Sequence, residues 1–157
     1  MADTSAPPLN IVLYQPEIAP NTGAVGRTCV AVGARLWLVR PLGFDLDDRK
    51  LRRAGMDYWR HLDLAVVDGL DEVAAAIFGT MWYFSTKGRR SYWDVVYRAG
   101  DALVFGPETR GLPASLVEQN PDASLRIPIR PEARSLNLSN SVAVAAFEAV
   151  RQLGQIL

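Results

Sequence analysis

The chain has 157 residues, 49% of them hydrophobic, and its 17 basic and 17 acidic side chains give a formal net charge of +0. That size and composition suit one domain with a real core, and the charge balance excludes a strongly basic, indiscriminate nucleic-acid binder while leaving room for a local basic face. The single Cys29 excludes an intramolecular disulfide framework and suits a reducing compartment, with the cytoplasm as default, and no apolar run approaches the ~20 residues that span a bilayer.

Residues 1–8 lack the basic start and apolar stretch of a signal peptide and read as a disordered tail, which leaves 9–157 as the folded domain. Leu9 to Tyr14 is a short continuous apolar run closed by Pro16 and Pro20, the pattern of a buried parallel strand. Asn21 or Thr22 then caps a helix carrying Val25, Cys29, Val30 and Val32, with Gly33 placed to end it. Arg35 to Val39 is the next strand. Residues 45–60 turn charge-rich and read as a short helix or an exposed loop. Leu64 to Val67 is a weak strand, and Asp68 caps a helix through Ile77 that Gly79 closes. Met81 to Phe84 and Ala102 to Phe105 are strands, while Asp94 to Ala99 is ambiguous. Pro113 starts a helix over Ala114 to Gln119, and Leu125 to Ile129 is the last strand. A final helix begins near Leu138 or Ser139, with Val142, Ala146, Ala149, Val150 and Leu153 on one apolar face. Strands alternating with helices predict a single α/β domain built on a parallel sheet with helices on both faces.

Several familiar chemistries lack their residues. His61 is the only histidine and no Gly-x-Ser-x-Gly elbow is present, so a catalytic triad or a multi-histidine metal site has little to be built from. Gly106 to Gly111 is followed by Leu112-Pro113 where a P-loop needs Lys and Ser or Thr, and Gly23-Ala24-Val25-Gly26 lacks the full dinucleotide-binding pattern. What stands out instead is two polar stretches, Phe105-Gly106-Pro107-Glu108-Thr109-Arg110-Gly111-Leu112-Pro113 and Ser135-Leu136-Asn137-Leu138-Ser139-Asn140, each after an apolar run and before a helix. Both belong at the carboxyl ends of strands, the edge at which open α/β sheets bind ligands. Their backbone donors and small polar groups suit a nucleoside-like ligand. The bland alternative is an ordinary turn and a helix cap. Arg49, Lys50, Arg52, Arg53 and Arg60, interleaved with Tyr58 and Trp59, and a second cluster at Lys87, Arg89 and Arg90, are either grips for phosphates and bases or solvated charged faces.

Asn21-Thr22-Gly23 with Gly26-Arg27-Thr28, then Phe105 to Pro113, then Ser135 to Asn140, in this order and spacing, resemble the three motifs of SPOUT-class RNA 2′-O-ribose methyltransferases. The likeness is nearest to the small single-domain enzymes that methylate the wobble cytidine or uridine of tRNA, and it extends from Leu9 to about Gly154. One departure is Ala24, where related enzymes often carry Asn; it bears on the RNA target more than on the chemistry. The resemblance implies a C-terminal deep trefoil knot, S-adenosyl-L-methionine as cofactor, tRNA as substrate and a homodimer, antiparallel or perpendicular, that completes the active site. It places cofactor contacts at Phe84, Gly106, Glu108, Ile127, Ser135 and Asn137, RNA contacts at Asn21, Arg52, Arg53, Lys87 and Arg110, and the reacting ribose beside Arg27.

Methyl transfer to a ribose hydroxyl is an in-line displacement that chiefly needs alignment, without a metal, and the hydroxyl must shed its proton. A guanidinium, with a pKa above ~12, is a poor base at neutral pH, so holding an RNA phosphate or stabilising developing negative charge are easier roles for Arg27 than proton abstraction. Glu108 either faces the sulfonium or holds Arg27 or Arg110. The same residues leave two rival functions: methylation of ribosomal RNA or another tRNA position, and a catalytically silent RNA-binding factor of this fold.

Overall fold

The computed structural model describes residues 7–47, 49, 51, 53 and 56–154. Most of the expected tail, residues 1–6, lies outside the described residues, and so does Arg52. In chain order the elements are β1 (Asn10–Tyr14), α1 (Ala19–Val32), β2 (Arg35–Val39), a 3-10 helix over Met56–His61, β3 (Leu64–Val67), α2 (Leu70–Ala76), β4 (Met81–Phe84), β5 (Arg90–Ser91), β6 (Ala102–Phe105), α3 (Ala114–Gln119), β7 (Ser124–Arg126) and α4 (Leu138–Leu153). The seven strands form one sheet in the order β3-β2-β1-β6-β4-β7-β5, and every pairing is parallel.

Both faces of this sheet are covered, which is why its central strands read as unbroken apolar runs. On one face Ile11, Leu13, Leu36, Leu38 and Leu103 pack against Val25, Cys29 and Val32 of α1 and Val142, Ala146 and Val150 of α4. On the other, Val12, Trp37, Val39 and Val104 pack against Val73 of α2 and Leu112, with Leu116 and Val117 of α3 closing the layer. Burial pushes the Cys29 thiol well above its ordinary range, so this sulfur is a core atom and not a nucleophile.

The amino edge of the sheet is closed by its own polar groups. Asp101, buried just before β6, accepts from the N–H of Thr80 at 2.8 Å, the indole of Trp82 at 2.9 Å and the N–H of Arg98 at 2.9 Å. Beside it, Asn10 Oδ1 accepts from the indole of Trp37 at 2.9 Å while its amide donates to the Gly100 carbonyl at 3.2 Å.

Three expectations need correction. Helix α1 starts at Ala19, before Asn21 and Thr22: Ile18 is its N-cap, and Pro20 sits in the first turn, where its missing N–H costs nothing. Gly33 does end it, at φ 71° with its N–H on the Val30 and Cys29 carbonyls. Helix α2 is capped at Gly69 and not Asp68, because Glu72 reaches back to the N–H groups of both, at 3.1 and 2.6 Å, and Asp68 pairs with Arg40 at 3.2 Å. The last strand covers Ser124–Arg126 and stops short of Pro128, which has no N–H for a ladder. Residues 94–99, ambiguous in the sequence, contain no strand, and the two-residue β5 just before them was not expected.

That short β5 matters for the topology. The chain leaves β4, crosses residues 85–89 and forms β5 two positions away, and β7 then lies between them, bonded to β4 on one side and β5 on the other. The crossing is tight. The Ser85 N–H donates to the Leu125 carbonyl at 2.9 Å, Arg126 donates to the Arg89 carbonyl at 3.0 Å, and a Cβ on Gly88 would lie 2.3 Å from the Leu125 carbonyl carbon.

Candidate functional site

At the carboxyl edge the loops after β1, β4, β6 and β7 surround a cleft of about 1190 Å³. Phe84, Gly106, Glu108, Ile127, Ser135 and Asn137, which come from four separate stretches of sequence, all line it. Asn21, Lys87 and Arg110 are on its walls too. Arg27 and Arg53 are not among its lining residues; both are exposed. The structure therefore assembles the expected cofactor residues in one place and separates them from the expected catalytic arginine.

The floor of the cleft is apolar and its rim polar. Phe84 stacks on Phe105 with ring centroids 4.7 Å apart and stays buried, so β4 presents mainly its main chain to the space above. Gly106 is required by the fold of its loop: a Cβ there would lie 2.2 Å from the Leu112 nitrogen, so any side chain would push the loop open. Gln15, at φ 50°, and Arg134, at φ 62°, hold backbone conformations that side chains other than glycine rarely adopt, and both line the cleft. Lys87, Arg89, Arg110 and Arg134 ring the mouth. An apolar floor, main-chain groups from tight loops and a cationic mouth fit a nucleoside-bearing cofactor next to a polyanion.

Asn137 has a structural duty as well as a place on the wall. It is the N-cap of α4, its Oδ1 accepting from the Ser139 N–H at 2.9 Å and hydroxyl at 2.6 Å, while its amide donates to Asn21 Oδ1 at 3.1 Å. Asn21 is thereby turned toward α4 and away from Arg27, which lies six residues on and on a different stripe of the helix. Arg27 instead places its guanidinium over the Tyr58 ring, 4.7 Å from the centroid, where Trp59 and Leu62 pack against Gly26. Tyr58 is 43% exposed and belongs neither to the core nor to the cleft.

Glu108 turns both oxygens to backbone donors, the N–H groups of Glu17 and Ile18, rather than to an arginine. Glu17 answers by accepting from Thr109, whose hydroxyl and N–H, with Arg110 nearby, hold its carboxyl below the usual carboxylate range. Sequence reasoning missed Gln15, Glu17 and Arg134. Glu17 had a faint signal as the only charge in the loop between β1 and α1; the others had none.

The sequence pattern of the SpoU rRNA Methylase family matches residues 8–147. The chain belongs to the SpoU methylase family. Among its relatives, the tRNA (cytidine(34)-2'-O)-methyltransferase of Burkholderia cenocepacia is 50% identical over 149 residues, 92% of this chain and 96% of the relative. The protein of the same name from Methylovorus glucosotrophus is 48% identical over 145 residues, 91% of this chain and 94% of the relative. A solved structure described as "Structural insights into the 2-OH methylation of C/U34 on tRNA" superposes with a TM-score of 0.86 at 47% identity, covering 92% of this chain and 95% of that one. The SpoU methyltransferase AviRb from Streptomyces viridochromogenes in complex with AdoMet superposes at 0.80 with 26% identity, over 91% of this chain and 57% of that one. The cleft thus belongs to a SpoU methylase.

Proposed function

We propose that this protein methylates the ribose 2′-hydroxyl of the wobble nucleotide, cytidine or modified uridine, of tRNA with S-adenosylmethionine as donor. The observation that carries the reading is the convergence of Asn21, the loop of residues 105–113 and residues 135–138 on one cleft in a chain about half identical, over 91% and 92% of its length, to two enzymes named for cytidine 34 of tRNA.

When bound, S-adenosylmethionine supplies a methyl group on a positively charged sulfur that leaves as a neutral thioether. The residues that would hold it are the main chain at Phe84, Gly106 and Ile127 together with Ser135 and Asn137. Lys87 and Arg110 at the mouth, with Asn21, Arg52 and Arg53, are assigned to RNA: the cations draw in phosphates and fix the nucleotide's place. Arg27 serves the reacting ribose, binding an adjacent phosphate or stabilising the oxygen as its proton leaves.

Arg27 does not reach the cleft of its own chain, so the active site is completed by a second copy in a homodimer. Exposed apolar side chains on and beside α1 and α4, namely Ile18, Leu136, Val144 and Phe147, support such a partner. The chain's path across β7 supports the threaded, knotted form of the fold. Among the described residues no helix is long and apolar enough to cross a membrane. The proposed tRNA substrate, and not that absence, is what supports the cytoplasm as the enzyme's place.

The test is direct. Purified protein with labelled cofactor and total tRNA yields label on the wobble ribose, and Arg27→Ala lowers the rate by ~10³-fold or more while cofactor binding stays intact. Label appearing only in ribosomal RNA or at another tRNA position establishes the rival target, and cofactor binding without transfer to any RNA removes the enzyme reading.

A further inference from the structure

Four hydrogen bonds to the carboxylates of Glu17 and Glu108 join the loop after β1 to the loop after β6, and Glu17 has no part in the roles above. Glu108 Oε2 accepts from the Glu17 N–H at 2.8 Å and Oε1 from the Ile18 N–H at 3.1 Å. In return Glu17 Oε1 accepts from the Thr109 N–H at 3.0 Å and the Thr109 hydroxyl at 2.7 Å. Each loop's carboxylate holds the other loop's donors. Two carboxylates at one junction repel, and charge-assisted bonds to separate donors, with Arg110 at hand, are what keep both in place.

The junction is also backed. The Gly43 N–H donates to the Pro16 carbonyl at 2.9 Å, and a Cβ at Gly43 would lie 2.7 Å from the Glu17 carbonyl oxygen, so the segment carrying Glu17 has no room to retreat. The register of β1 on β6 runs from Asn10 against Ala102 to Leu13 against Phe105 and then ends. The clamp carries that fixed relation past the strands: on one side is Ile18, which opens α1, and on the other is the Gly106–Pro113 loop.

We propose that Glu17 is a positioning residue for methyl transfer, tying the cofactor loop through Thr109 and Glu108 to the start of α1. The first turn of α1 walls the same cleft with Ile18 and Asn21, so the clamp keeps the cofactor side and the nucleotide side of the cleft in one alignment. The inference rests on the methyl-transfer reading, since it is alignment that this reaction chiefly needs.

Glu17→Ala and Glu17→Gln are compared with the wild-type protein in tRNA methylation, in calorimetric binding of S-adenosylmethionine and in amide hydrogen exchange with and without that cofactor. Glu17→Ala loses ~10-fold or more in kcat, with cofactor Kd within about twofold of wild type. Glu17→Gln, which keeps an acceptor oxygen for Thr109, recovers most of the loss. Cofactor slows exchange at Glu17, Ile18 and Thr109 in the wild type and not in Glu17→Ala. A Glu17→Ala protein with wild-type kcat, or one whose cofactor affinity falls while kcat holds, overturns the proposal, as does a wild type in which the cofactor leaves those amides unchanged. A wild type that shows the exchange response and methylates no tRNA upholds the clamp and refutes the functional reading instead.

Discussion

The two edges of the sheet use polar residues in opposite ways. At the amino edge Asp101 and Asn10 are 2% and 3% exposed, and their bonds go to the protein itself: three donors end on the Asp101 carboxylate and the Trp37 indole on Asn10. At the carboxyl edge Asn137, Ser135 and Arg110 are exposed around a cleft, and only some of their donors and acceptors have partners within the chain. The first arrangement stabilises the fold; the second leaves groups available to a ligand. Polar residues at the ends of strands are thus told apart by what satisfies them, which residue type alone does not reveal.

Substitutions at the two edges sharpen this contrast. The largest effect belongs to Asp101→Ala, which leaves three part-buried donors without their acceptor and lowers unfolding stability by about 3 kcal/mol in denaturant melts, while methylation per folded molecule holds. Loss of activity in the folded fraction would break the contrast. Next comes Gly106→Val, whose side chain meets Gly111 and Leu112: the fold survives in thermal melts and cofactor affinity falls ~100-fold or more by calorimetry. Asn137→Ala falls between the two edges. It removes the α4 cap at a cost of about 1 kcal/mol, and because it also frees Asn21 it weakens cofactor binding several-fold.

The core of this fold was legible because its cause is local. Both faces of β1, β2 and β6 are buried, so Ile11 to Tyr14, Leu36 to Val39 and Ala102 to Phe105 announce themselves as apolar runs, and the α4 face shows at helical spacing. What failed was set by partners distant in sequence. The sequence pointed to a cap at Asn21 or Thr22, whereas the start of α1 is fixed by Pro20 in the first turn and by Glu108, 90 residues from the Ile18 whose N–H it holds. β5 is two residues long and exists only because β7 lies beside it. At the site the motifs marked which residues meet, yet Gln15 and Arg134 carry no pattern a single sequence exposes, and Glu17 only the faint one of a lone charge in its loop. The separation of Arg27 from the cleft was equally hidden, since it follows from which stripe of α1 faces Tyr58.

The central claim is that the cleft is complete within one chain and its catalytic arginine comes from another. Mixing two inactive variants tests it: Arg27→Ala, with an intact cleft, and Gly106→Val, with an intact arginine, are unfolded together, refolded and assayed for wobble-ribose methylation. In a mixed dimer one site regains both parts, so the account predicts recovery to roughly a quarter of wild-type activity from random pairing. A mixture as inactive as its two components would contradict it.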